Sequence, residues 1–145
     1  MRVTALALVL VSLLLSGCST GGDDSKASAE RCTLAKGDAF LELQKNGAYG
    51  EFSAALNGWP DKVSIEGMQE ALPKVKAARE KVEAEDWSPC GTDMKPHALA
   101  LIDAVAAGMQ SILDGDTEEA ARQYEISKQE WLDMGKIWSD IRATP

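Results

Sequence analysis

Apolar side chains recur every three or four residues along most of the chain, and this spacing predicts helices. The most regular stretch lies near the C-terminus. Ala120, Tyr124, Ser127, Trp131, Met134, Trp138 and Ile141 alternate four and three residues apart, a heptad seam. Arg122, Glu125, Lys128 and Asp133 fall off it. A second stripe, Leu99, Ile102, Ala106, Met109 and Leu113, precedes it, with Gly108 alongside leaving room for a close neighbour. Pro96 suits the first turn of that helix, and Gly115 suits the left-handed position just past its end. Asp116-Thr117-Glu118-Glu119 then reads as a capping box for the next helix. So tight a turn predicts an antiparallel helical hairpin.

The pattern is less regular upstream. Met68, Leu72, Val75, Arg79 and Val82 follow the same spacing, with Ser64 placed to cap the helix. Pro73 interrupts this stripe, because it has no N–H for the carbonyl of Gln69. Either the helix kinks there or Pro73 opens a second piece. Before it, Cys32, Leu34, Ala35, Ala39, Leu41 and Leu43 form a helical region that starts near Glu30. Asn46-Gly47 and Gly50 break it, and Tyr49, Phe52, Ala55 and Leu56 resume it up to Asn57-Gly58. The region is one kinked helix or two short ones. Trp59-Pro60-Asp61 is a turn, and Asp86 to Asp93 form the next loop. No stretch past the N-terminal segment reads as a strand. Helical regions joined by short connections predict an all-α, up-down-up-down four-helix bundle whose first or second helix, or both, is kinked.

The first residues follow a different pattern. Arg2 is followed by a mostly apolar run from Val3 to Leu15, shorter than the roughly 20 residues a membrane-crossing helix needs. A basic start, a short apolar core and small residues after it are the parts of a secretory signal peptide. The run closes on Leu15-Ser16-Gly17-Cys18, which resembles the lipobox of bacterial lipoprotein precursors. That resemblance implies removal of residues 1–17 and acylation of Cys18, diacylglycerol on the thiol and palmitate among the modifying chains. Residues 18–29 are then the lipidated Cys and a flexible Gly-, Ser- and Asp-rich tether reaching roughly 15–20 Å, and 30–145 the folded domain. Two acyl chains anchor stably where one binds only marginally. The expected location is the cell membrane or outer membrane, on the extracytoplasmic face. Ser19, where inner-membrane members of the enteric family carry Asp, favours the outer membrane in a host that has two.

Export changes the reading of the cysteines. With Cys18 lipidated, Cys32 and Cys90 remain in a disulfide-permissive compartment, and a structural bridge is the default. Two free thiols are the alternative. In an up-down bundle the start of the first helix and the loop after the second lie at one end, so Cα atoms within about 4.4–6.8 Å are expected. The chain carries 15 basic and 23 acidic residues, and loss of Arg2 leaves 14 against 23, a net charge of −9. Such a surface argues against nucleic acid and against electrostatic adhesion to anionic lipid.

Candidate chemistry is sparse. There is no CxxC, CxxCH or Cys/His cluster, and no metal or cofactor is expected. Asp114, Asp116, Glu118 and Glu125 match a calcium-loop count, but Glu119 stands where the loop needs Gly, and a capping box accounts for Asp116 and Glu119. His97, the only histidine, is placed to pair with Asp93. No nucleophile–base set and no Gly-rich phosphate loop announce an enzyme. The tryptophans at positions 59, 87, 131 and 138 stand out. Trp131 and Trp138, one heptad apart with Met134 between them, are either core or the wall of an aromatic groove for a glycan, peptide or apolar ligand.

Beyond the lipobox, the domain loosely resembles small secreted all-helical bacterial domains without assigned activity. The expected function is a non-enzymatic, membrane-anchored binding or accessory module of the cell envelope, its partner a protein or an envelope polymer. The alternative is a carrier of a small apolar or metal ligand in the bundle core.

Overall fold

A computed structural model of the chain describes residues 32–56 and 64–143. The signal segment, Cys18, the tether and the Trp59-Pro60-Asp61 turn lie outside the described residues. Within them run five helices: α1 (Leu34–Asn46), α2 (Ala48–Ala55), α3 (Ile65–Ala84), α4 (Lys95–Asp114) and α5 (Thr117–Ala143). No strand occurs among the described residues, and the all-α class read from the periodicity holds.

Each helix boundary has a local cause. Thr33 caps α1, its hydroxyl accepting from the Lys36 N–H, and Ser64 caps α3 by accepting from Gly67 at 2.9 Å. The break in the first helical region falls at Gly47, so the sequence folds as two short helices rather than one kinked one. A Cβ at Gly47 would lie 2.6 Å from the Leu43 carbonyl oxygen and 2.8 Å from Glu85 Oε1, which explains the glycine. α3 continues unbroken through Pro73, whose ring is exposed. Gly115 ends α4 with φ 80°, and the N–H of Asp116 reaches back to the Ser111 carbonyl at 2.8 Å.

Consecutive helices pack side by side. α2 runs antiparallel to α3: Ala48, at its start, bonds Glu85, and Glu51, farther on, pairs with Lys81. α3 and α4 are antiparallel too. Arg79 pairs with Asp103 at 3.0 Å, and Lys95 Nζ donates to the carbonyls of Glu83 (2.7 Å) and Glu85, satisfying the C-terminal end of α3. The α4–α5 hairpin is the most extensive contact, and a Cβ at Gly108 would already lie 3.4 Å from Gln123 Cβ. Among the described helices, α4 alone is long and apolar enough to cross a membrane. It packs between α3 and α5, with Ala98, Leu101, Ile102, Ala104 and Met109 buried.

α1 is held differently from the others. Cys32, just before it, is bonded to Cys90, with S–S 1.96 Å and Cα–Cα 4.7 Å, inside the expected range. Gly47 and Ala48, just after it, meet Glu85. Both ends of α1 are therefore fastened to the segment between α3 and α4, and α1 lies across that end of the bundle. Its inward face is Gly37 and Phe40, and the stripe expected at Ala35, Ala39 and Leu43 is exposed. Only a narrow face of a crossing helix is covered, and one large ring fills it. Phe40 packs on Trp87 with ring centroids 5.5 Å apart at 67°, and its edge lies over Gly91.

The core is continuous from this end to the α4–α5 turn. Trp87, Ile102, Met109, Val75 and Val82 are fully buried. Each contributes roughly 1.5–3 kcal/mol on removal from water. In α3 the stripe holds at Met68, Leu72, Val75 and Val82, but Ala78 takes the inward position and Arg79 turns outward to its carboxylates.

Candidate functional site: an aromatic groove between α1 and α5

Contact between α1 and α5 is thin compared with that between α4 and α5. The reason is geometric: α1 crosses the bundle end and covers only the last turns of α5. A cavity of about 260 Å³ opens where the two helices diverge. α5 supplies Trp131, Met134, Gly135 and Trp138 to its wall. Phe40, Leu41 and Gln44 of α1 face them, with Tyr49 and Met94 closing the sides.

The three residues singled out from the heptad seam thus meet at one site, in unequal environments. Met134 is 7% exposed and belongs to the core, Trp138 is half-buried, and Trp131 is 61% exposed. Core alone does not describe the pair of tryptophans. Part of the seam turns outward, since Tyr124 is exposed as well, and the inward line of α5 passes instead through Gln123, Ser127, Glu130, Met134 and Ile137. The side chain of Ile141 lies outside the described ones.

An aromatic cluster supports the groove from beneath. Trp87 touches Phe40, and its ring also lies 6.2 Å from Tyr49 at 83°, while Phe40 lies 6.4 Å from Trp138. The two edge-on contacts of Trp87 stabilise by about 0.5–1.5 kcal/mol each beyond the area they bury. The Trp87 indole donates to Glu85 Oε2 at 3.2 Å, satisfying its only polar atom. Burial pushes the Tyr49 hydroxyl up from 10.0 to about 12, so the phenol stays neutral through the physiological range.

Gln44 contributes to the α1 wall, but its amide nitrogen is closed off from the groove surface. The side-chain nitrogen of Gln44 is buried and meets no acceptor. A buried donor left unpaired costs about 1–3 kcal/mol, and most such groups in folded proteins have a partner.

Other sequence candidates make contacts within the fold. His97 pairs not with Asp93 but with Glu130, Nδ1 to Oε2 at 2.7 Å, because α5 presents a carboxylate beside the first turn of α4. Asp116 caps α5 by accepting from Glu119 N–H at 2.9 Å. The reciprocal half of the capping box is not made: Glu119 turns to Arg122 and to Gln123 at 2.7 Å, while the Asp116 N–H is taken by Ser111. Of the carboxylates a calcium loop would need, Asp114 accepts from Gln110, Asp116 accepts from Glu119 and Glu125 pairs with Lys128.

Sequence reasoning found the α5 wall and, of the α1 wall facing it, only Leu41. Phe40 and Gln44 are one helical turn apart and so share a face of α1, but the apolar stripe chosen there ran through the smaller residues beside them. Gly135 gave no signal, because a lone glycine inside a helical pattern does not say what it leaves room for. Compared with protein-family models, with curated proteins and with solved structures, the chain matches none.

Proposed function

We propose that this chain is a lipid-anchored, extracytoplasmic binding module of the cell envelope, without enzymatic activity, and that the α1–α5 groove is its binding surface. The observation that carries the reading is the exposure of Trp131, 61%, beside Met134 and Trp138 in an apolar groove. Large aromatic side chains left open at the edge of a pocket are the usual anchors of recognition. The partner is a protein or polymer of the envelope. The anchoring half rests on Leu15-Ser16-Gly17-Cys18 and on Cys32, the first described residue, which lies at the α1 end of the fold. A short tether would keep the groove end close to the membrane.

The binding half is tested by placing a photo-crosslinking amino acid at Trp131 and, as a control, at the exposed Gln110 in the native host. A discrete adduct from position 131 alone is expected. No adduct, or the same adducts from both positions, would defeat the reading. The anchor is tested by Cys18→Ser, which should leave unprocessed, unacylated precursor. Wild-type protein partitioning into the aqueous phase of a detergent separation would defeat it.

A carrier of a small apolar molecule is the second reading, favoured by the pocket volume of about 260 Å³. An engineered cavity of about 150 Å³ already takes up benzene. The pocket lies at the bundle edge rather than in its core, so the cargo would be exchangeable. Native mass spectrometry of protein purified from its host would reveal it.

A further inference from the structure

One face of α5 is left open to solvent. Tyr124 (64% exposed), Trp131 (61%) and Leu132 (50%) lie on it, and Lys128, Gly135 and Ser139 are exposed between and beyond them. At roughly 100° per residue, a line through Tyr124, Trp131 and Gly135 runs straight along the helix. α5 carries six acidic residues, from Glu118 to Asp140, and none falls within about a quarter-turn of that line. Between Ala121 and Ser139 the strip holds one charge, Lys128, whose exposed pair with Glu125 spans 3.4 Å. Single exposed apolar residues are ordinary, whereas a contiguous apolar strip marks a contact surface. The strip is also uneven. Trp131 stands out from it, and one turn farther on Gly135 leaves a gap, where a Cβ would find no atom within 4 Å. Glycine inside a helix is about 1 kcal/mol less favourable than alanine. Close approach of a neighbour commonly explains it, as Gln123 does at Gly108, but no neighbour in this chain approaches Gly135. The gap joins the cavity of about 260 Å³ between α1 and α5. An engineered cavity of roughly 150 Å³ takes up benzene, so the larger one has room for an indole.

Resting on the reading that the groove is a binding surface, we propose that its partner is a second copy of this chain. The two α5 helices cross antiparallel about a two-fold axis, and Trp131 of each copy enters the groove of the other over Gly135. Helical geometry selects this occupant. A knob and a socket one turn apart on a single helix are both satisfied by the same helix running the other way. An axis midway between positions 131 and 135 brings Trp131 opposite Gly135 of the partner and Gly135 opposite Trp131 of the partner, the isologous arrangement of a two-fold dimer. The same axis sets Lys128 opposite Trp138 of the partner, a cation beside an indole rather than beside a second lysine. An unrelated partner would have to supply both a bulky side chain for the groove and a pocket for Trp131, and a second copy already has the two. The absence of carboxylates along the strip spares the contact the repulsion that two chains of net charge −8 meet elsewhere on their surfaces. One helix face per copy is at the small end of specific interfaces, so the dimer is reversible.

The test is made in the native host on the full chain, co-expressed in two differently tagged copies. A photo-crosslinking amino acid replaces Ser139, an exposed residue at the edge of the strip, and the adduct carrying both tags is measured. Wild type should give it. Trp131→Ala in both copies removes the knob, and Gly135→Leu in both fills the socket. Each should cut the yield by about tenfold or more, the scale of losing a central tryptophan anchor. With Trp131→Ala in one copy and Gly135→Leu in the other, the remaining tryptophan meets an open socket and the added leucine faces the vacated place. The doubly tagged adduct should then return. Its return also shows that both variants fold, and circular dichroism of each purified variant should show undiminished helix content. Full yield from either variant alone, or no recovery in the mixed pair, would overturn the dimer. The crosslinker placed at Trp131 separates this proposal from the groove reading. An adduct there with a different protein or a polymer, and none carrying both tags, would overturn the dimer and leave the groove reading standing. No adduct from either position would sink both.

Discussion

The N–H of Ala48 donates to Glu85 Oε1 at 2.8 Å, joining the first residue of α2 to the residue that ends α3. The other oxygen of the same carboxylate accepts from the indole of Trp87, which is 2% exposed. One side chain therefore supplies the acceptor at the start of α2, where helix dipole and free N–H groups favour a negative charge, and satisfies the one polar atom of the central core ring. Glu85→Ala should lower unfolding free energy by about 1–3 kcal/mol, since the indole N–H would be left buried and unpaired. Urea denaturation followed by tryptophan fluorescence measures this. Glu85→Gln, which keeps an acceptor oxygen but not the charge, should fall between the two.

The bridge between Cys32 and Cys90 fastens the opposite end of α1 and spans 58 residues. In the chain-entropy account, closing a loop of that length stabilises by about 4 kcal/mol. Replacing either Cys with Ser should lower the melting temperature while leaving the far-ultraviolet circular dichroism at low temperature unchanged. The helices themselves are held by their own hydrogen bonds and by the core of α3, α4 and α5. A variant that melts where wild type does would mean the bridge contributes nothing.

Much of this architecture was legible in the periodicity, and the failures have physical causes. The stripes of α3 and α4, the left-handed Gly115 and the pairing of the cysteines follow from local rules, because each depends on a turn of helix or on which end of a bundle a residue occupies. The placement of α1 does not. Nothing in Leu34 to Asn46 says that both ends of the helix will be fastened to one loop, since that depends on Glu85 and Cys90, far along the chain. Once α1 lies across the bundle end, the inner line of α5 shifts, Trp131 is left open, and Phe40 rather than Leu41 or Leu43 becomes the plug. Trp87 sits in the loop expected for it, yet at the centre of the aromatic core, a place that no local rule assigns to a loop residue. The pairing of His97 with Glu130 was invisible because i,i+4 arithmetic sees only one helix.

The unpaired Gln44 nitrogen makes a stability prediction that is separate from binding. Removing a buried donor that has no acceptor relieves its desolvation cost, and Met fills nearly the same volume. Gln44→Met should therefore raise unfolding free energy by about 1–3 kcal/mol in the free protein. Differential scanning calorimetry would register it as a higher melting temperature. A residue that costs the free protein stability, at the wall of an open groove, fits the trade of stability against function seen at binding sites. A lower melting temperature in the variant would mean that the amide is already satisfied.

The last prediction concerns alkaline pH and rests on Tyr49, whose hydroxyl burial pushes up to about 12 from 10.0. The sign follows from proton counts. Between pH 10 and 12 the unfolded chain releases the phenol proton and the folded chain keeps it. The unfolded state then binds fewer protons, so stability falls as pH rises through this window and is fully present below it. Two units of difference correspond to a loss of about 2–3 kcal/mol by the upper end. Lysines also titrate here, but they are common to wild type and variant, so the comparison isolates the one ring. Tyr49→Phe, which keeps the packing on Phe52 and Trp87, should lose less stability than wild type between pH 10 and 12 and match its pH dependence near neutrality. The check is the difference between two urea-denaturation series, one for each protein, taken across that range. Parallel curves would show the Tyr49 hydroxyl to be as well solvated in the folded chain as in the unfolded one, and the inner side of the groove to be wetter than its apolar lining implies.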